Sequence, residues 1–224
     1  MGQVTSVRAV LFDFSGTLFR LEKDDAWFDD MGLAEHVQAE LMARLTHPTS
    51  NSVHMTDEAY QAWLNRDLVP SLHREAYLHV LRSSGLSDPH AESLYQRVID
   101  PASWSPYPDT TEVFRSLRAQ GIRTAVVSNI AYDVRPALVA AGAEPDHVVL
   151  SYEVGFAKPD PQIFRIALDR CGVTPAEALM VGDSAENDGA AHGLGCAFAL
   201  VDPIPIDHRP TGLVDALRDA GITV

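Results

Sequence analysis

Residues 7–18 read Val7-Arg8-Ala9-Val10-Leu11-Phe12-Asp13-Phe14-Ser15-Gly16-Thr17-Leu18. The run from Val7 to Phe12 has the length and bulk of a buried strand, and it ends on an acid followed by a glycine turn. Further runs of strand length follow at Thr124 to Val127, Val148 to Leu150, Ala178 to Val181 and Ala197 to Val201. Between them lie helical patterns such as TTEVFRSLRAQG (110–121) and PQIFRIALDRCG (161–172), each closing on a glycine, where a helix C-cap favours left-handed backbone. This alternation predicts an α/β fold, a Rossmann-like parallel sheet core covered on both faces by helices.

From residue 20 to residue 100 no β-branched run appears, and apolar residues follow a helical period. Phe28, Met31, Val37, Leu41 and Leu45 form one stripe, and Leu72, Ala76, Leu78 and Leu81 suggest another. The expected organisation is a core of residues 1–19 and 101–224 with an all-helical insert, 20–100, after the first strand. Pro101, Pro106 and Pro108 punctuate the return and predict a hinge there.

Composition narrows the function. The 224 residues carry 17 Lys+Arg against 31 Asp+Glu, a net charge of −14, and the only lysines are Lys23 and Lys158. So little positive field argues against nucleic acid or an anionic membrane surface as partner. No run of about 20 apolar residues and no apolar leader is visible, so a cytoplasmic location is the expectation. Two cysteines, Cys171 and Cys196, without C-x-x-C spacing fit a reducing compartment and read as core thiols.

In a parallel sheet, ligands collect outside the carboxyl ends of the strands. Four segments fall there: Asp13 to Leu18, Ser128-Asn129, Lys158-Pro159, and Gly182-Asp183-Ser184-Ala185-Glu186-Asn187-Asp188. Asp13, Asp183 and Asp188 would converge on one edge, where like charges repel and raise one another's pKa unless a cation intervenes. A hard divalent ion such as Mg²⁺, which takes oxygen ligands and shares them with phosphate, answers that problem. With Lys158, a hydroxyl, an amide and turn N–H groups nearby, the pocket suits a phosphoryl group in a charge-spread transition state.

The segments DFSGTL, SN, KP and GDSAEND, in this order and spacing, resemble the haloacid dehalogenase superfamily, and the helical insert resembles its C1 cap. The resemblance covers essentially the whole chain. It implies a hydrolase, an Mg²⁺-dependent phosphatase of a small phosphorylated metabolite. Asp13 would be the nucleophile that forms an aspartyl phosphate. Metal ligands would be Asp13, the backbone carbonyl of Ser15 and Asp183, with Asp188 supporting the metal or the lysine. Ser128, the Asn129 region and Gly16 would bind the phosphoryl group, and Lys158 would neutralise nucleophile and substrate charge.

One position departs from the family pattern. Its phosphatases usually carry a second aspartate two residues after the nucleophile, which protonates the leaving oxygen; here that residue is Ser15. Loss of a positioned acid/base costs about 10²- to 10⁴-fold. Alternatives are therefore a 2-haloacid dehalogenase-like hydrolase, a phosphonatase-like hydrolase, for which Lys23 is the one available insert lysine, and a non-catalytic phosphate-binding protein. The dehalogenase reading is weakened by Asp183 and Asp188, because that branch works without Mg²⁺. Six of nine histidines (His36, His47, His54, His73, His79 and His90) fall in the insert and are candidates to lend the missing proton. Arg20, at the insert junction, is a candidate contact for a substrate anion. Gly193-Leu194-Gly195 reads as a helix C-cap rather than a dinucleotide loop.

Overall fold

The computed structural model describes residues 6–22, 27–29, 31–46 and 55–224. The strands in chain order are β1 (Ala9–Phe12), β2 (Phe19–Leu21), β3 (Trp104–Pro106), β4 (Arg123–Ser128), β5 (His147–Leu150), β6 (Ala178–Gly182) and β7 (Ala197–Leu200). Five of them form one sheet in the order β5-β4-β1-β6-β7 with every pairing parallel. Leaving out β2 and β3, this is the 3-2-1-4-5 order of a Rossmann-like sheet, whose crossovers change side between β1 and β6. Phe12 lies opposite Val126 and Val181, so Asp13, Ser128 and Gly182 leave the same edge within two residues of one another.

Side-chain alternation explains why the central strands are apolar throughout. Val10, Phe12, Val126 and Val181 face α5 (Thr110–Ala119) and α9 (Gly212–Asp219) through Val113, Leu117, Leu213 and Leu217. Leu11, Val127 and Met180 face Ile163, Phe164 and Leu168 of α8 (Pro161–Cys171) on the other side. Each such side chain buried completely contributes about 1.5–3 kcal/mol. Helix α8 opens where the Asp160 carboxylate accepts the Gln162 N–H at 2.8 Å with Pro161 in the first turn, and it stops at Gly172, φ 67°. Cys171 and Cys196 are buried and unpaired with each other.

The intervening segment contains α1 (Glu35–Thr46), α2 (Asp57–Asn65), α3 (Pro70–Ser83) and α4 (Asp88–Ile99), and two short helices of the sheet region, α6 (Arg135–Ala140) and α7 (Ser151–Val154), follow β4 and β5. It has its own apolar cluster, built from Trp27, Phe28, Leu41, Leu45, Leu78, Leu81 and Leu94 among others. Two expectations need correction. Phe28 and Met31 precede α1 rather than belonging to it; they are drawn toward the same cluster from a turn, which imitates a helical stripe. Also, the expected hinge is partly a strand: β3 pairs antiparallel with β2, Arg20 opposite Ser105, so the chain leaves and returns through one two-stranded ribbon. Trp104 anchors that ribbon by donating to the Val98 carbonyl at 2.9 Å. Among the described residues, no helix is long and apolar enough to cross a membrane.

Candidate active site

Asp13 follows β1, and its N–H donates to the Val181 carbonyl at 3.0 Å, so the sheet ladder fixes the backbone from which its carboxylate projects. Lys158 Nζ donates to Asp13 Oδ1 and to Asp188 Oδ1, both at 2.6 Å, and all three side chains are buried. Asp188 is placed by its own loop: its Oδ2 accepts the Ser184 N–H at 3.0 Å, and its N–H donates to the Ser184 carbonyl at 2.8 Å. The Ser184 hydroxyl accepts the Asn187 N–H at 3.1 Å, which tightens the same turn.

Asp13, Asp183 and Asp188 each bring a carboxylate oxygen within 4.8 Å of the others'. Burial, with repulsion from its two neighbours, pushes the Asp13 carboxyl up to about 8 against the lowering effect of Lys158. Burial and Asp188 likewise raise Asp183 to about 6. For Lys158, burial favours loss of the proton, but Asp13 and Asp188 outweigh it and raise its pKa. One ammonium therefore leaves three carboxylates under-compensated. An all-oxygen set with excess negative charge is what a hard divalent cation requires, so these residues fit one.

Two glycines make the convergence possible. A Cβ on Gly16, φ 78°, would lie 2.6 Å from Asp183 Oδ2, and one on Gly182 would lie 2.2 Å from Asp188 Cγ. Gly16 was expected to bind phosphate, but its N–H already donates to the Phe19 carbonyl at 2.7 Å; its part here is to let the first turn approach Asp183. Asn129 is likewise engaged elsewhere. Its Nδ2 donates to the Lys158 carbonyl at 2.8 Å and its Oδ1 accepts the Lys158 N–H at 2.7 Å, so the side-chain amide positions the lysine segment. Ser128 ends β4, buried, on the same sheet edge. Ser15 and Asp183 line one wall of a cavity of about 360 Å³, with Lys158 and Asn129 beside them.

The opposite wall comes from the helical segment, through Arg66, Asp67, His73 and Tyr77. None of these carries a sequence motif, and only His73 belonged to a group of candidates. His73 is the candidate histidine that reaches this cavity among those described; His47 and His54, and also Lys23, lie outside the described residues. Its Nδ1 is 3.2 Å from the Tyr95 hydroxyl and its ring stacks on Tyr77 at 4.4 Å. Burial, reinforced by Arg66, pushes its pKa down to about 3, so it is neutral and not an acid catalyst near neutral pH. Arg20 donates to the Pro203 carbonyl, sits 3.4 Å from Glu22 and lines a small recess with Ser15, Gly16 and Asp183.

A residue the sequence did not single out braces the first turn. Buried Arg209 donates from Nη1 to the Gly16 carbonyl at 2.7 Å and the Asp202 carbonyl at 2.9 Å, and from Nη2 to the Thr17 carbonyl. Its guanidinium carbon lies 3.1 Å from the centroid of the Tyr107 ring. Gly193 and Gly195 close a 3-10 helix, Gly189–Leu194, with Gly195 at φ 100°, as expected of a C-cap.

A buried carboxylate, a lysine bonded to it and a pair of further acids gather on the carboxyl edge of a Rossmann-like sheet, the edge at which such sheets bind their ligands. The haloacid dehalogenase-like hydrolase family model matches residues 7–195, and the chain belongs to that family. It is 36% identical over 118 residues to the mouse (Mus musculus) haloacid dehalogenase-like hydrolase domain-containing protein 3, covering 50% of this chain and 47% of that one. To a glyceraldehyde 3-phosphate phosphatase of Methanopyrus kandleri it is 30% identical over 193 residues, 81% of this chain and 78% of the relative. Among solved structures, L-2-haloacid dehalogenase from Xanthobacter autotrophicus superposes with a TM-score of 0.64 at 25% identity, covering 93% of this chain and 83% of that one. The chain spans about half the length of the domain-containing protein 3 relatives from mouse, Bos taurus and Danio rerio, at 47%, 59% and 41%.

Proposed function

We propose that the chain is an Mg²⁺-dependent phosphatase of a small phosphorylated metabolite, acting through an aspartyl phosphate on Asp13. The observation that carries this reading is the Lys158 ammonium shared at 2.6 Å between Asp13 and Asp188, with the Asp183 carboxylate beside them under the cavity. A volume of about 360 Å³ suits a small molecule rather than a polymer. The similarity to a relative named glyceraldehyde 3-phosphate phosphatase supports the substrate class.

Asp13, Asp183 and the Ser15 carbonyl are the groups that would hold Mg²⁺, with Asp188 behind them. When bound, the ion supplies charge neutralisation at the phosphoryl oxygens. Asp13 attacks phosphorus from a carboxylate oxygen that the strand end and Lys158 orient. Lys158 offsets the charge gathered on nucleophile and phosphoryl group, and the Ser128 hydroxyl binds a phosphoryl oxygen. Segment 20–100 serves as a helical cap that excludes water and selects the leaving group. A cytoplasmic location agrees with the charge and cysteine content.

The 2-haloacid hydrolase reading has a specific support in the likeness to L-2-haloacid dehalogenase. It leaves Asp183 without a cation to hold, since halide departure needs none, whereas Asp188 would still hold Lys158. The test is a screen of phosphorylated metabolites and 2-haloacids with Mg²⁺, with chelator and Asp13→Asn as controls. Phosphate release abolished by chelator is expected; chelator-resistant halide release, or no turnover of any phosphate ester, overturns the reading.

A further inference from the structure

Ser15 cannot hand a proton to the leaving oxygen, so a substitute has to come from another wall of the same cavity. Among the described residues lining it, most candidates are disqualified by their surroundings. Lys158 is committed to two carboxylates that keep it protonated. His73 is neutral, and burial pushes the phenols of Tyr77 and Tyr132 further up from their ordinary value. Arg66 is turned to its own helix end, its Nη1 donating to the Trp63 carbonyl at 2.8 Å. Asp183 belongs to the cation set. The remaining proton donor is Asp67, on the turn between α2 and α3.

The turn that carries Asp67 is fixed to the core. The Ser151 hydroxyl lies between the carbonyls of Asp67 and Ile130 and accepts the Ile130 N–H at 2.9 Å, tying the turn to the loop that follows Ser128. The Asp67 side chain keeps 21% exposure, and Arg66 Nη2 lies 3.5 Å from its Oδ2. We propose that Asp67 is the general acid and base of the reaction on Asp13, supplied from the helical segment in place of the residue that Ser15 displaces. This rests on the phosphatase reading above.

In the first half-reaction an Asp13 oxygen forms its bond to phosphorus while the ester P–O bond breaks, and the Asp67 carboxyl proton passes to the departing oxygen, releasing an alcohol. In the second, water attacks the phosphorus of phospho-Asp13. Asp67 takes one water proton, the bond from phosphorus to Asp13 breaks, and inorganic phosphate leaves with both carboxyl groups restored to their starting states. The environment agrees: burial raises the Asp67 pKa against the lowering pull of Arg66 and Lys158, favouring the protonated form that the first step needs. The charged and titratable groups facing it are Arg66, Lys158, Tyr77 and Tyr132.

The experiment compares kcat/KM for p-nitrophenyl phosphate and glycerol 2-phosphate, in wild type and Asp67→Asn, with Mg²⁺. An alkoxide needs protonation far more than a nitrophenolate, so the variant should lose about 10²- to 10⁴-fold on the alkyl ester and at least 10-fold less on the aryl ester. Thermal melting checks folding, and Asp67→Ser read by the same ratio replaces Asp67→Asn should the latter not fold. Wild type hydrolysing neither ester nor any ester of the screen above sinks the phosphatase reading and this proposal with it; where the screen finds another alkyl ester, that ester replaces glycerol 2-phosphate in the comparison. Wild type hydrolysing the aryl ester alone, or an aryl-to-alkyl ratio that the variant leaves unmoved, sinks this proposal only.

Discussion

Asn129 and Lys158 clasp each other across 29 residues of chain through two hydrogen bonds, amide to carbonyl at 2.8 Å and backbone N–H to amide oxygen at 2.7 Å. The side chain after β4 thereby fixes the backbone from which the site's lysine reaches Asp13. Asn129→Ala removes both bonds and leaves the Lys158 peptide groups to find other partners. The expected stability loss is about 1–3 kcal/mol, and displacing the ammonium by about 1 Å should cost on the order of 10²-fold in kcat. Denaturant melts and turnover of an aryl phosphate check this; full activity in the variant would show that Lys158 is positioned by other contacts.

Gly182 and Gly193 should respond oppositely to alanine. At Gly182 the new Cβ would fall 2.2 Å from Asp188 Cγ and 2.5 Å from its Cβ, so Asp188 or the end of β6 has to shift. Gly182→Ala is expected to lose about 1–3 kcal/mol and to weaken Mg²⁺ binding. At Gly193 nothing lies within 4 Å of the added Cβ, and the backbone is not left-handed. Gly193→Ala should stay within about 0.5 kcal/mol of wild type. Paired thermal melts with and without Mg²⁺ separate the two.

Asp183 offers the most direct test of the cation. If three acids gathered within 4.8 Å bind Mg²⁺, the folded state is stabilised in proportion to occupancy. At a concentration of about 100 times Kd the gain is about 2.7 kcal/mol. Asp183→Asn should melt at least as high as wild type in chelator, because it removes one repelling charge, yet lose the Mg²⁺-dependent gain. A variant that keeps the full shift would move the cation elsewhere.

His73 predicts an acid sensitivity of the helical segment. Its folded pKa of about 3 lies below the unfolded value, so the unfolded chain takes up the proton first as pH falls. The stability tied to neutral His73 is therefore complete above about pH 6.5, and it is lost as pH falls toward the folded value. His73→Gln, which retains a polar partner for Tyr95, should flatten that slope. Urea melts near pH 7 and near pH 4.5 measure it; an equally steep acid loss in the variant would assign the sensitivity to other groups.

The strands of the main sheet were legible because burial on both faces leaves uninterrupted apolar runs, and the family reading drawn from the four tip segments is borne out by the match over residues 7–195. β2 and β3 were not legible: each has three residues, too few to impose a period, and they exist by pairing with each other across more than eighty residues of chain. Phe28 and Met31 misled in the other direction, since a turn that drops apolar side chains into the α1 cluster carries the same spacing as a helix.

Local patterns alone dictated the α/β class, the helix ends at Gly172 and Gly195, and the placement of Asp13, Ser128 and Asp183 at strand tips. Strand burial and capping depend on neighbours a few residues apart. Folding settled the rest. Arg209 braces Gly16 from 193 positions away, Asp67 enters the cavity because Ser151 receives its turn, and Asn129 turned out to serve Lys158. Such contacts arise when distant segments pack, and they leave no periodic trace in the segments that make them.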